Sequence, residues 1–322
     1  LAWHFEEALL PERSAAWHLR AGKRATYLAA NEEAIAHLTR GLALLERLSE
    51  TPERLWLQLE LQLALLSPLT HANGFWAPER IEALQAAYTI SQHPALAVNS
   101  RLWMVSAATA YYALWSAEPA RAIDICAQLL QQAEQGSPTL HRRWGHCLMG
   151  CALLMQAKVE AANEHLDAAL EDSIAADVAQ YDHLVGIDVD LMTLIWKSLA
   201  LWQRGSPDQA RHYLQKALAK ADESACSTAL AHVQSMAGLL YFLYERNLPA
   251  AWRHIQSLRE SAKVVLPFGA FANSLAGPEV LTELQGAWVL QQMRDGLARF
   301  QTEGSGLGRA GLLLMLARGY AH

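Results

Sequence analysis

One recurring pattern constrains this chain more than any bulk property. It is a small residue, an apolar residue four positions on, then Ala or Gly with Leu close behind. It runs Ala34, Leu38, Gly41 and Leu42, then Ala162, Leu166, Ala169 and Leu170, then Ala210, Leu214, Ala217 and Leu218. A looser copy is Ala122, Cys126, Leu129 and Leu130, and a further one begins at Ala250 or Ala251. Twelve residues before Ala34, Ala162 and Ala250 stand Gly22, Gly150 and Gly238, while Ser198 precedes Ala210 and Ala110 precedes Ala122 at the same distance. Small residues at both places are what two helices need where their axes come close, because a large side chain there would hold them apart.

Helix-period patterning runs from end to end, and sustained period-two alternation with hairpin-turn signals is lacking. Breaks fall at Pro11, Pro52, Gly74, Pro78, Pro119, Gly136 to Pro138, Gly205 to Pro207, Pro249 and Gly277 to Pro278. A Pro in a helix's first turn loses nothing, since the N–H it lacks has no partner there. The expected class is all-α, with helices of roughly 15 to 20 residues between breaks.

Composition agrees with a large folded core. Of 322 residues, 52% are apolar and 18% charged, which excludes intrinsic disorder. A net charge of −6 with scattered Lys and Arg argues against a nucleic-acid platform. No apolar run approaches the roughly 20 residues of a membrane span. Cys126, Cys147, Cys151 and Cys226 form no CxxC pair or disulfide framework, which points to a reducing, cytoplasmic setting.

The register of small residues is similar to that of tetratricopeptide (TPR) repeats. Spacing is irregular, at 40 residues from Ala122 to Ala162, 48 from Ala162 to Ala210 and 40 from Ala210 to Ala250. The largest excess over the usual repeat of about 34 residues falls between Glu171 and Asp190. This polar stretch is expected to protrude as a loop, with His183, Asp188 and Asp190 as candidate contact residues.

Order along the chain also resembles the C-terminal TPR regions of bacterial STAND-type signalling ATPases, which follow an AAA-like nucleotide-binding module. The residues carrying the resemblance are Leu1 to His4, Ala21 to Ala25, Asn31 to Ile35, Pro52 to Arg54, Leu59 to Leu65, Gly74 with Pro78, Ala200 to Trp202 with Pro207 to Ala210, and Leu307 to Arg309. Such regions accompany adenylate or guanylate cyclase, protein kinase or transcription-activator modules. Two departures concern the C-terminus: the segments 286–290 and 292–297 are nearly fused, and the chain stops at His322 within what reads as the first helix of another repeat. The resemblance implies a piece of a longer polypeptide. Residues 1–322 are expected to form one superhelical domain of about six hairpins, a right-handed α-solenoid. Within it, 1–50 hold the first repeat, 51–140 repeats with long linkers, 141–265 the best-formed repeats, and 266–322 a shortened last repeat.

Catalytic and cofactor patterns are weak throughout. Gly306, Gly308 and Gly311 spell GxGxxG, but a helix-like segment precedes them where a dinucleotide site needs a strand. No Walker A sequence occurs, the 13 His form no HExxH, and no nucleophile stands on a strand-to-helix elbow. Cys147 and Cys151 share a helix face beside His146, two metal ligands where a structural zinc needs four. The expectation is no cofactor, no metal and no enzyme activity in this segment.

A TPR array binds through the first helix of each hairpin. That register nominates Met104 and Tyr111, then Trp144, Cys147 and Cys151, then Met192, Ile195 and Trp202, then His232 and Phe242 as groove-lining. Aromatic and Met side chains there suit a peptide, an apolar small molecule or a sugar ring. A carboxylate clamp would need Lys, Asn and Arg at those positions, and Lys23 is the lone cation among them. The functional expectation is a non-catalytic sensor and interaction segment that binds a partner protein, a peptide or a small inducer and signals to its own nucleotide-binding module. The alternative is a self-contained adaptor that assembles proteins. Neither involves nucleic acid or membrane.

Overall fold

The computed structural model describes residues 2–46, 48–73, 77–96, 102–134, 139–171 and 188–223, with a few isolated positions between 230 and 257. The described residues are all-helical, with 11 α-helices, one 3₁₀ turn and no strands. They are α1 (Ala2–Glu7), α2 (Pro11–Tyr27), α3 (Asn31–Leu45), α4 (Pro52–Asn73), α5 (Pro78–Ser91), α6 (Trp103–Trp115), α7 (Pro119–Glu134), α8 (Thr139–Met155), α9 (Val159–Glu171), α10 (Val189–Gln203) and α11 (Pro207–Glu223). Five begin on a proline that the sequence marks as a break, namely Pro11, Pro52, Pro78, Pro119 and Pro207.

Contacts divide the chain into two compact units, Leu1–Thr109 and Ala110–His322, with the boundary inside α6. In the first, α1 packs on α2, α2 on α3, α4 on both α2 and α3, and α5 on α4. Its core includes Leu55, Leu59, Ala87, Leu96 and Val105. In the second unit, α8 packs on α7 and α9, and α10 packs on α8, α9 and α11. Most described helices thus meet a chain neighbour, and α2 with α4 and α8 with α10 also meet across one intervening helix.

The small residues act as the sequence predicts. A Cβ added to Gly22 would lie 2.5 Å from Leu38 Cγ, and one added to Gly150 would lie 2.7 Å from Leu166 Cγ and 3.1 Å from the Ala162 carbonyl oxygen. At the third copy the Ser198 hydroxyl donates to the Ala210 carbonyl at 2.8 Å. Ala34, Ala162 and Ala210 are fully buried.

The turn ahead of each small residue is also shared. Ala29, Ala117, Ala157 and Gly205 have φ between +58° and +85°, the left-handed conformation that ends a helix. The next residue donates its amide to a carbonyl five positions back: Ala30 to Ala25, Glu118 to Ala113, Lys158 to Leu153 and Ser206 to Leu201, at 2.8 to 3.0 Å. This is the bond that closes a Schellman turn.

Candidate functional site

The most heavily buried helix among those described is α10. Its residues from Leu191 to Leu201 are all buried, as a helix apolar around its circumference must be. Asp188 caps it: the Oδ1 atom accepts from the amides of Asp190 at 2.6 Å and Leu191 at 3.4 Å. A carboxylate there also meets the positive end of the helix dipole.

Asp190, in the first turn, ties three helices together. One oxygen pairs with the Arg143 guanidinium of α8, and the other accepts from Lys220 Nζ of α11 at 2.8 Å. Lys220 also lies 3.5 Å from Asp188. Arg143 is buried, and its Nε donates to the Ala169 carbonyl near the end of α9 at 3.1 Å. Arg54 plays a similar part in the first unit, donating from Nε to the Leu45 carbonyl at the end of α3 at 3.0 Å. Two turns further along α10, buried Lys197 donates to Asn163 Oδ1 at 2.6 Å and pairs with Asp167 at 2.5 Å. Buried cations survive in such interiors only when paired in this way.

The nominated residues fall into three groups. Asp188 and Asp190, expected on the protruding loop, serve as cap and ion-pair anchor of α10. Trp144, Met192 and Ile195 are 2%, 0% and 1% exposed, Tyr111 is buried as well, and Trp202 is half-buried. An occupant that met the first four would have to enter the interior. His183, His232 and Phe242 lie outside the described residues, as do the glycines at 306, 308 and 311.

The second unit also buries nitrogen and sulfur groups. Trp196 on α10 is buried, and its indole N–H has no partner among the described residues. Burial pushes the His141 imidazole down to about 4. Cys126, Cys147 and Cys151 are fully buried. Burial raises the Cys126 and Cys151 thiols well above their usual range, which keeps them protonated and poor nucleophiles. Among the described residues no group of three His, Cys, Asp or Glu could hold a metal ion, and no helix is long and apolar enough to cross a membrane.

Sequence reasoning missed two histidine pairs. His18 Nδ1 lies 3.1 Å from His37 Nδ1 between α2 and α3, and His146 Nδ1 lies 2.8 Å from His165 Nδ1 between α8 and α9. Each pair combines a His four before the seat glycine with a His three after the seat alanine. The signal was present as a recurrence at a spacing of 128 residues.

In comparison with known proteins, the chain matches no protein-family model and no curated protein.

Proposed function

We propose that the chain is the non-catalytic sensor and interaction region of a multidomain signalling ATPase, built as a TPR-like α-solenoid. The observation that carries this reading is the repeated seat, Gly22 under Leu38 and Gly150 under Leu166, with Ser198 bonded to Ala210. A chain whose helices meet near neighbours distributes its stability along its length, so binding at one repeat biases the next. That is the property a sensor needs, provided the ligand binds one arrangement better than another.

The ligand class follows from the surroundings of α10. Met192, Ile195 and Trp196 are buried there, and the Trp196 indole N–H, without a partner among the described residues, is a donor that an incoming carbonyl or hydroxyl would satisfy. An apolar or sugar-like small molecule bearing such an acceptor fits best. Its binding would press on the Asp190 junction, which joins α8, α10 and α11.

A second reading, the self-contained adaptor, is favoured by exposed apolar side chains near the first helices. Trp3, Leu9, Tyr27 and Leu28, on α1, at the end of α2 and in the turns after them, are between 59% and 86% exposed. Native mass spectrometry of protein taken directly from its host separates the two. A retained small molecule supports the sensor and a retained polypeptide the adaptor. If neither is retained, a thermal shift across a metabolite library decides, since a ligand at 100 times its Kd adds about 2.7 kcal/mol. A library without a stabiliser removes the sensor.

A further inference from the structure

The two histidine pairs occupy the same place in two hairpins and carry a constraint the rest of the core lacks. An Nδ1 atom facing another Nδ1 at 3.1 or 2.8 Å forms a hydrogen bond only if one ring carries the hydrogen and the other offers a lone pair. In the first pair the arrangement is legible. Glu33 lies 3.8 Å from His37 Nε2, so its charge favours hydrogen on that nitrogen and leaves His37 Nδ1 as the acceptor. His18 Nδ1 then donates, and His18 Nε2 is a bare lone pair, sealed from solvent with no partner among the described residues.

Acid dismantles this in two steps. After a first proton the two Nδ1 atoms can still share one hydrogen, but both Nε2 atoms must then carry hydrogen, and at His18 that N–H is buried with no partner among the described residues. A second proton sets N–H against N–H and charge against charge. The second pair obeys the same rule between Nδ1 atoms, though Ala161 stands where the first has Glu33.

We propose that the two histidine pairs are matched acid-sensitive latches, which hold the α2–α3 and α8–α9 hairpins closed while neutral and release both as protons are added. Burial lowers the affinity of His18 and His165 for protons, as a closed latch requires. His37 also lowers that of His18, and Glu164 partly offsets the shift at His165.

On the helices packed around each pair, several charged groups are engaged elsewhere or have the wrong sign to stabilise a doubly charged pair. Around the first, Glu6 of α1 is held by Arg40 of α3, and Glu60 of α4 by Lys23 of α2. Glu33, near His37 Nε2, brings one carboxylate to two rings. Around the second, α7 brings Arg121 paired with Glu118, and α8 brings Arg142 and the Asp190-bound Arg143. There α9 brings Glu164 and α10 brings Lys197 held by Asp167. A cation in place of the shared hydrogen would want a third ligand, and no such group exists among the described residues. The device is independent of what the chain binds.

Two measurements on the whole chain test it. Amide exchange at 28–34 and 156–162, corrected for intrinsic pH dependence, should show both hairpins opening as pH falls from 7.5 to 5.5. The rise should approach about 100-fold per pH unit, the limit for two protons per opening. His37→Gln should flatten the slope to at most about 10-fold at the first hairpin alone, and His165→Gln at the second alone. A flat wild-type profile, or variants that keep the wild-type slope, overturns the proposal. Imidazole ¹⁵N shifts of the wild-type protein make the test independent of variant folding. At pH 7.5 each pair should contain one ring with hydrogen on Nδ1, and four rings all protonated on Nε2 alone would overturn it.

Discussion

The α2–α3 and α8–α9 hairpins share a skeleton 128 residues apart and differ in almost everything laid upon it. Both carry a His, a seat glycine, a left-handed alanine, a buried alanine and a His followed by Leu. Yet Arg20, Lys23 and Arg24 of α2 correspond in register to Leu148, Cys151 and Ala152 of α8, and exposed Tyr27 corresponds to Met155. Neighbours explain the difference. Helices of 16, 13 and 15 residues press on α8, whereas one neighbour of α2 is the six-residue α1. The hairpin itself needs only a few small or special residues, and the number of faces that must be apolar is decided by what packs on it.

The sharpest break in the comparison is Arg143, whose counterpart in register is the buried Ala15. Arg143→Leu should destabilise the second unit by about 3–5 kcal/mol, because it leaves the Ala169 carbonyl and one Asp190 oxygen without their donor. Lys23→Leu, on the exposed side of α2, should stay within about 0.5 kcal/mol. Urea unfolding of both variants checks the contrast, and equal costs would refute it. The seats should instead behave alike. Gly22→Ala and Gly150→Ala should each lose about 1–2 kcal/mol, overpacking against a buried Leu outweighing the gain in helix propensity.

Acid should weaken both regions. His18, His141 and His165 bind protons less readily folded than unfolded, so their contribution is complete above the ordinary value of 6.5 and is lost as pH falls below it, for His141 down to about 4. Each additional proton taken up on unfolding adds a slope of about 1.4 kcal/mol per pH unit. Melting temperatures that stay level between pH 7 and 5 would contradict this. The smallest effect concerns the turns. Ala29→Gly and Ala157→Gly should each stabilise by up to about 1 kcal/mol, since alanine is strained at positive φ, with chain entropy taking back part of the gain.

Much of the fold was legible because its signals are local. Prolines mark helix starts, and a glycine twelve residues before an alanine marks a close crossing. The candidate site was less legible because its determinants are distant. Asp190 meets Arg143 across 47 residues and Lys220 across 30, and no pattern at those separations announces an ion pair. Register placed Tyr111, Trp144, Met192 and Ile195 on first helices, but cannot say what covers that face, and the structure buries all four. Lys197 within the apolar run from Val189 to Leu201 was a visible sign of a buried partner, which proved to be Asn163 and Asp167.

The repeated seat is the claim on which the rest depends, and a pair of double-mutant cycles tests it most directly. Truncating Leu38 should relieve the clash made by Gly22→Ala, so Gly22→Ala with Leu38→Ala should cost less than the two alone added together, by about 1 kcal/mol or more. Gly150→Ala with Leu166→Ala should give the same sign and similar size. Additivity within about 0.3–0.5 kcal/mol in either hairpin would show that the glycine is not a seat for its leucine, and the equivalence of the two regions would fall with it.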